Sequence, residues 1–128
     1  MLLLDTNALI FDALAPQRLS VSARDAVERE PAVHLACADI TLWEIAMLID
    51  KGRLAVLEDT DTFIDLVVSR RSLEVLPITP AIAAYSAKIS AVSDPADRLI
   101  AATALVHGLA PCTSDAKLSR VRELQVVW

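Results

Sequence analysis

The chain has 128 residues, of which 12 are Lys or Arg and 17 are Asp or Glu, so its formal net charge is −5. Apolar residues make up 55%, with only 2 Gly and 6 Pro, which excludes intrinsic disorder and collagen-like repeats. A chain of this length is expected to form one domain, residues 1–128, around a single core. Its acidity argues against a broad basic surface for nucleic acid.

In chain order, short apolar runs alternate with stretches of helical period, the pattern of a layered α/β domain. The predicted elements are a strand at Leu2–Leu4, a helix at Ala8–Leu14, a helix from a Ser22 cap to Glu30, a strand at Val33–Ala36, a helix from a Thr41 cap to Lys51, a helix from Thr60 or Asp61 to Arg70, a strand at Leu73–Leu76, a helix at Pro80–Ala91, a helix from an Asp94 cap to His107, and strands at Ala110–Thr113 and Gln125–Val127. We therefore expect a three-layer α/β/α sandwich with a mostly parallel sheet.

Several classes of protein are excluded by motifs that the sequence lacks. The longest uncharged stretch, residues 99–114, is too short to span a bilayer. The start of the chain lacks the basic and apolar regions of a secretory signal, so we expect a cytoplasmic protein without a membrane partner. Cys37 and Cys112 lie outside any CxxC motif and are expected to be buried thiols. Neither a dinucleotide-binding GxGxxG motif nor a P-loop occurs.

Four acidic residues are predicted near the carboxyl ends of strands, where ligands of parallel sheets bind. Asp5 follows the first strand, and Glu44 lies in the first turn of the helix after the second strand. Asp97 lies in the first turn of the Asp94 helix, and Asp115 follows the fourth strand. Each also has a structural interpretation: Asp5 and Asp115 as helix caps, Glu44 as the capping-box partner of Thr41, and Asp97 as a favourable charge at a helix start.

Acidic side chains brought to one sheet edge repel one another unless a cation neutralises them. Mg²⁺ and Mn²⁺ prefer oxygen ligands, polarise phosphate and lower the pKa of a coordinated water. The pattern therefore predicts metal-assisted hydrolysis of phosphodiesters at Asp5, Glu44, Asp97 and Asp115. The neutral neighbours are suited to orienting carboxylates or water by hydrogen bonds; they are Thr6, Asn7, Thr113 and Ser114.

Four segments together resemble the PIN-domain family, and more narrowly the VapC-type ribonuclease toxins of prokaryotic toxin–antitoxin pairs. The segments are Leu2-Leu3-Leu4-Asp5-Thr6-Asn7, Trp43-Glu44, the run from Asp94-Pro95-Ala96-Asp97-Arg98 to Ala104, and Thr113-Ser114-Asp115. They occur in the family's order and cover nearly the whole chain.

The resemblance implies a five-stranded parallel sheet in the order 3-2-1-4-5, with Asp5 and Asp115 on neighbouring strands. It also implies endoribonuclease activity with Mg²⁺ or Mn²⁺, a homodimer, and a cognate antitoxin that inserts a segment into the active groove. Carried over residue by residue, the family's acids are Asp5, Glu44, Asp97 and Asp115, with Asp5 and Asp97 as the principal metal ligands. Asp94 is treated as a helix cap, and a role as a substitute ligand stays open.

Other polar and aromatic residues have structural interpretations that compete with functional ones. We expect His34 and His107 to lie away from the site. Arg98 and Trp43 could contact RNA phosphate and a base, respectively, but an ion pair and core packing are the competing interpretations. Three cations after Asp115 could steer RNA or could simply be solvated, and they are Lys117, Arg120 and Arg122. A stripe of Phe63, Leu66 and Val67 could serve the core, an antitoxin or a dimer.

Two alternative functions remain open on the sequence alone. A catalytically silent module with the PIN fold would share the architecture without the activity. A Mg²⁺-binding receiver or phosphotransfer domain would share the size and layered fold, although the third predicted strand ends in Pro77-Ile78 without a carboxylate.

Overall fold

The structure is a computed structural model that describes residues 1–29 and 33–128. Within these residues the chain alternates strands and helices as the hydrophobic pattern predicts. The elements are β1 (Leu2–Leu4), α1 (Thr6–Leu14), α2 (Val21–Glu28), β2 (Leu35–Ala38), α3 (Asp39–Asp50), α4 (Thr60–Arg70), β3 (Glu74–Leu76), α5 (Pro80–Lys88), α6 (Pro95–His107) and β4 (Ala110–Cys112). Two short 3₁₀ turns cover Pro16–Arg18 and Leu118–Arg120.

The sheet has four parallel strands in the order β3-β2-β1-β4, which confirms the predicted α/β fold with a parallel sheet. β1 lies inside the sheet, with β2 on one side and β4 on the other. The chain therefore reverses its direction of winding between β1 and β4. In such sheets, the crevice at the carboxyl ends of the two strands at this point is the usual ligand site.

The predicted fifth strand, Gln125–Val127, is reduced to a single parallel bridge between Cys112 and Val127. The Val127 N–H donates to the Pro111 carbonyl at 2.9 Å, and the Thr113 N–H donates to the Val127 carbonyl at 3.2 Å. The next bond of that ladder would need an N–H on Pro111, which proline lacks. Pro111 thus explains why pairing at this edge does not extend to Gln125.

Helices cover both faces of the sheet, because successive residues of a strand point to opposite sides. Leu2 and Leu4 pack in a core with α1, α2, α3 and α4. Leu3 points the other way, into a second core with α5, α6 and the segment after β4. All three leucines are buried, so β1 is covered on both sides as expected for a parallel sheet.

Several boundaries differ from the prediction by a few residues. The cap of α2 is Ser20 and not Ser22, since the Ser20 hydroxyl accepts the Ala23 N–H at 3.0 Å. The predicted end of this helix at Glu30 lies outside the described residues.

α5 ends at Lys88 rather than Ala91, because the backbone at Ile89 is extended and the Ile89 side chain is buried in the second core. α6 ends where predicted, at Gly108, which has a φ of 65° that favours glycine.

Both cysteines are buried thiols, as predicted. Burial raises the pKa of Cys37 and of Cys112 to about 12, so neither is a reactive thiolate near neutral pH. They lie on β2 and β4, which are separated by β1. The two cysteines are therefore separated by two strand spacings, about 9–10 Å, which is farther than the Cα atoms of a disulfide can be apart. Among the helices described, none is both long and apolar enough to cross a membrane.

Candidate active site

A cleft of about 480 Å³ opens at the carboxyl ends of β1 and β4. It is lined by parts of the chain that are far apart in sequence: the start of α1, the face of α3 and the residues just after it, the start of α6, and the segment after β4. All four acids singled out in the sequence line it, together with the acid that was treated as a helix cap. These are Asp5, Glu44, Asp97, Asp115 and Asp94.

Asp5 is held at the centre of this arrangement by both carboxylate oxygens. Its Oδ1 accepts the Ala8 N–H at 2.8 Å, which caps α1, so the capping interpretation and the cleft position are both correct. Its Oδ2 accepts the hydroxyl of Thr113 from the end of β4. Asp5 is 6% exposed, and its N–H donates to the Cys112 carbonyl at 3.1 Å. The carboxylate is therefore fixed in position by the sheet and by the first helix.

Glu44 does not form the predicted capping box with Thr41. α3 begins two residues before Thr41, at Asp39, so Thr41 lies inside the helix and Glu44 lies in its second turn rather than its first. Glu44 Oε1 instead accepts the hydroxyl of Thr6 at 2.5 Å. This bond joins α3 to the start of α1 and holds Glu44 in the cleft.

Asp97 reaches the cleft from the first turn of α6, the predicted position. Asp94 caps this helix, because its Oδ1 accepts the N–H groups of Ala96 at 2.8 Å and Asp97 at 3.2 Å. The interpretation of Asp94 as a cap is thus confirmed, although its side chain also lines the cleft. With the backbone fixed by Asp94, the Asp97 carboxylate is left half-buried in the cleft.

Thr113 connects two of the acids. Its hydroxyl donates to Asp5 and accepts the N–H of Asp115 at 2.9 Å. Asp115 Oδ1 in turn accepts the Lys117 N–H at 2.8 Å, which fixes the turn after β4. Of the neutral residues expected to orient the acids, Thr6 and Thr113 do so, Asn7 lines the cleft, and Ser114 is exposed outside its lining.

The acids influence one another electrostatically. Burial raises the pKa of Asp5 to about 6, and repulsion by Asp115 and Asp97 adds to the rise, while the hydrogen bonds from Thr113 and the Ala8 N–H oppose it.

Burial likewise raises the pKa of Asp97 to about 6. Repulsion by Asp94, Asp115 and Glu44 adds to this rise, and the positive charge of Lys117 opposes it. The pKa of Glu44 is raised mainly by burial, against the bond from Thr6. A cation in the cleft would relieve this repulsion.

The donor set fits a hard divalent cation. Every acid in the cleft offers carboxylate oxygens, and its neighbours offer hydroxyls rather than thiols or imidazoles. Across residues 1–29 and 33–128, no three His, Cys, Asp or Glu side chains are close enough together to enclose a metal ion by themselves. Mg²⁺ usually keeps several waters and is bound through one or two carboxylates plus substrate phosphate, so an open set of acids suits it. The residues that could hold it are Asp5, Glu44, Asp97 and Asp115.

Three residues of the lining were missed or misassigned by sequence reasoning. Trp43 lies on the face of α3, lines the cleft and is 56% exposed, so the core-packing interpretation is wrong. Lys51 and Arg53 follow α3 and bring positive charge to an otherwise acidic cleft. Trp43, Met47 and Lys51 are each four residues apart, a spacing that places them on one face of α3. This spacing was the sequence signal that could have predicted their shared position in the cleft.

Other candidates fall outside the cleft. The Arg98 Nε donates to the Val92 carbonyl at 2.6 Å, a bond that braces the segment before α6, and Arg98 is not in the lining of the cleft. His34 pairs with Glu74 at 3.2 Å on the surface, and His107 lies at the end of α6, so both lie away from the cleft as predicted.

The apolar stripe on α4 serves mainly the core. Phe63 and Val67 are core residues, and Leu66 is half-exposed.

Comparison with known proteins places this architecture in a family. The PIN domain profile matches residues 2–124. Ribonuclease VapC22 of Mycobacterium tuberculosis is 34% identical over 130 residues, covering 98% of this chain and 97% of that protein. Among solved structures, VapBC2 from Rickettsia felis bound to a promoter DNA fragment has a chain with a TM-score of 0.75 at 20% identity, covering 98% of this chain and 96% of that one. A toxin–antitoxin complex from Klebsiella pneumoniae gives 0.69 at 22% identity, covering 98% and 97%. With nearly its full length matched by the PIN profile and by a VapC relative, the chain belongs to the PIN-domain family and to its VapC group.

Proposed function

We propose that this protein is a metal-dependent endoribonuclease that hydrolyses RNA phosphodiester bonds. The observation that carries the proposal is the convergence of Asp5, Glu44, Asp97 and Asp115, from four separate parts of the chain, on one open cleft. The relative from Mycobacterium tuberculosis is named a ribonuclease, which supports RNA as the substrate class.

Asp5 and Asp97 are proposed as the principal ligands of Mg²⁺ or Mn²⁺, with Glu44 and Asp115 completing the site. When bound, the cation supplies positive charge for the phosphate and lowers the pKa of a coordinated water. Thr113 and Thr6 hold Asp5 and Glu44 in place by hydrogen bonds, so two of the four acids are oriented by neighbouring hydroxyls. In the reaction, water adds to phosphorus, the bond to the leaving sugar oxygen breaks, and that oxygen gains a proton.

The remainder of the cleft suits a single-stranded substrate. Lys51 and Arg53 can bind phosphates of the strand, and the exposed indole of Trp43 can stack on a base. Such contacts orient the strand without relying on the acids, which repel phosphate when no cation is present. Trp43 is therefore proposed as a substrate contact.

The proposal also covers partners. Two of the structural neighbours are toxin–antitoxin complexes, which supports a role as the toxin of a type II pair with a cognate antitoxin protein. The half-exposed Leu66 and the fully exposed Leu57 provide apolar surface for such a partner. A homodimer and a cytoplasmic location remain predictions.

Cleavage of single-stranded RNA by purified protein tests the activity. Wild-type protein is expected to cut RNA with Mg²⁺ or Mn²⁺ and to stop when EDTA is added. Asp5→Asn and Asp97→Asn are expected to lose at least 100-fold in rate. Asp25→Asn, which neutralises an exposed acid on α2, is the matched control and is expected to keep full activity. Equal cleavage by all four preparations, in the absence of RNase activity in a mock preparation purified in the same way, would reject the assigned site.

The silent-module alternative predicts a different result. A PIN-fold module without activity would neither cut RNA nor bind Mn²⁺ at millimolar concentration, although all four acids are present. The receiver-domain alternative is replaced by the family assignment, and β3 indeed ends at Leu76 without a following carboxylate.

A further inference from the structure

A second groove, of about 530 Å³, lies away from the acidic cleft between the end of α5, the lower part of α6 and the segment after the 3₁₀ turn at Leu118–Arg120. Its charged lining consists of Lys88, Arg120, Arg122 and Glu123. Three cations against one carboxylate give the groove a net charge of +2, in a chain whose total is −5. The groove is therefore a local exception to the acidic surface.

The cations of this groove are available to a ligand. Lys88, Arg120 and Arg122 are exposed, and none of them forms an ion pair with any residue in the described part of the chain. Structural arginines in this protein look different: Arg71 is 21% exposed and binds both carboxylate oxygens of Asp12. Unpaired cations that gather in a concave surface favour an anionic ligand.

An aromatic side chain accompanies the positive charge. Tyr85 lines the groove and is 38% exposed, so its ring is accessible. A positively charged groove with an aromatic platform is the combination that binds single-stranded nucleic acid, because phosphates meet the cations and bases stack on the ring. A free phosphate or a phosphorylated peptide would not use the ring in this way.

The groove is connected to the acidic cleft by the chain itself. Asp115 lies in the cleft, and two residues on, Lys117 lies near enough to Asp97 to lower the pKa of that carboxyl. Arg120 follows one 3₁₀ turn later, with its N–H bonded to the Lys117 carbonyl at 3.1 Å. Lys117 and Arg120 thus place two cations within one turn of chain between the cleft and the groove.

The distance between the two sites suits a short stretch of RNA. Asp97 at the start of α6 lines the cleft, and Leu105 in the same helix lines the groove. Eight residues of α-helix span about 12 Å, which equals roughly four nucleotides at about 3.4 Å each in a stacked strand. A strand that runs over the surface from the cleft to the groove therefore spans at least about four nucleotides.

We propose that the groove formed by Tyr85, Lys88, Arg120 and Arg122 is a second RNA-binding site, which holds the substrate strand a few nucleotides from the bond that is cut. The choice of RNA rests on the proposed function. The site makes long single strands better ligands than short ones, without taking part in the chemistry.

Binding of labelled oligouridine tests the site without requiring cleavage. In an Asp97→Asn background, anisotropy is measured with 4-nucleotide and 16-nucleotide probes over a range of salt concentrations. We expect Arg120→Gln with Arg122→Gln to weaken binding of the long probe about tenfold and to lower its salt slope by about 1.4, and to weaken the short probe less, because a 4-nucleotide strand contacts fewer of the groove's cations. Arg24→Gln on α2 with Arg29→Gln just after it removes the same charge elsewhere and is expected to change neither probe.

Three outcomes are decisive. Equal effects of the two double variants on the long probe would overturn the proposal, since only net charge would then matter. A change in sedimentation of the Arg120 and Arg122 variant, with RNA binding unaltered, would also overturn it, because the groove would then contact a second copy of the chain. If the long probe depends on the two arginines but the wild-type protein cuts no RNA, the groove stands and the proposed nuclease function falls.

Discussion

At the scale of single residues, the cleft is organised by hydroxyl groups as much as by acids. Thr113 donates to Asp5 and accepts from the backbone of Asp115, so one hydroxyl orients two members of the site. The Thr6 hydroxyl orients a third acid, because it donates to the Glu44 carboxylate. These threonines set the positions of carboxylates that would otherwise move apart under their own repulsion. Their removal should therefore weaken the site without removing any acid.

Thr113→Val tests this role. The substitution keeps the shape of the side chain but leaves Asp5 Oδ2 and the Asp115 N–H without their partner. We expect metal affinity and the cleavage rate to fall about 10- to 100-fold, the usual effect of losing a group that orients a ligand. Thr113→Ser retains the hydroxyl and is expected to restore most of both. Equal loss in the Ser and Val variants would show that the methyl group, and not the hydroxyl, matters.

Asp5 gives the metal-free protein a pH-dependent weakness. Its pKa is about 6 in the folded chain against 3.8 as a free group, so the folded state binds the proton more tightly. The resulting stability is present below about pH 4 and is lost as pH rises through 6. Asp5→Asn removes the ionising group while keeping atoms that can bond Ala8 and Thr113.

Urea unfolding in EDTA measures this effect. We expect Asp5→Asn and wild type to be similarly stable near pH 4, and the variant to be more stable by about 2–3 kcal/mol at pH 7.5. The gain should diminish when Mn²⁺ is present, because only the wild type would gain from the cation. A stability difference that does not change with pH would contradict the assigned pKa of Asp5.

At the scale of elements, α1 is tied to the end of α4 by a buried acid. Asp12 is 2% exposed, and Arg71 binds both of its oxygens at 2.9 and 3.0 Å. Arg70 adds a longer contact at 3.4 Å and a bond to the Asp12 carbonyl at 2.9 Å, but its side chain is 49% exposed. The two adjacent arginines therefore differ in how much of their bonding is buried.

Removing these arginines one at a time should give unequal effects. Arg71→Leu leaves the buried carboxylate of Asp12 largely uncompensated, and we expect a loss of about 3–5 kcal/mol in the free energy of unfolding. Arg70→Leu is expected to cost about 1 kcal/mol or less, since its pair is exposed. Chemical denaturation of both variants measures this difference. Equal losses would show that the exposed pair contributes as much as the buried one.

The sequence predicts the order of the elements well, because the hydrophobic period and the cap residues are local signals. Thr79-Pro80 and Asp94-Pro95 start α5 and α6 as expected, and Gly108 ends α6. The prediction of an element boundary fails where a contact with a residue far away in the sequence determines that boundary. The start of α3 at Asp39 was missed, because the Asp39 carboxylate accepts the Ile78 N–H at 3.0 Å, from a loop 39 residues away in the chain.

The acids of the candidate site and two of the hydroxyl groups that orient them, those of Thr6 and Thr113, were predictable from the sequence, whereas Trp43 and the hydrogen-bond partner of Glu44 were not. Acids at strand ends are local features, and parallel strands bring their carboxyl ends to one edge. The exposure of Trp43 depends instead on how α3 sits against α1 and α6, which the sequence pattern does not specify. The partner of Glu44 was likewise unpredictable, since Thr6 lies 38 residues away.

At the scale of the whole molecule, the charge distribution follows the proposed path of the substrate. Acids occupy the cleft together with Lys51 and Arg53, Lys117 acts electrostatically on Asp97, and three further cations line the second groove. An acidic protein can therefore bind RNA locally once a cation neutralises the cleft. The arrangement makes cation binding the event on which cleavage depends, whereas the proposed RNA site in the second groove does not require it.

Calorimetric titration of Mn²⁺ at pH 7.5 tests this central claim most directly. The wild-type protein is expected to give a saturable heat of binding, and Asp5→Asn and Asp97→Asn are expected to give none, while all three remain folded by circular dichroism. Asp25→Asn is expected to bind as the wild type does. Undiminished binding by both cleft variants, or no binding by the wild type at millimolar Mn²⁺, would contradict the account.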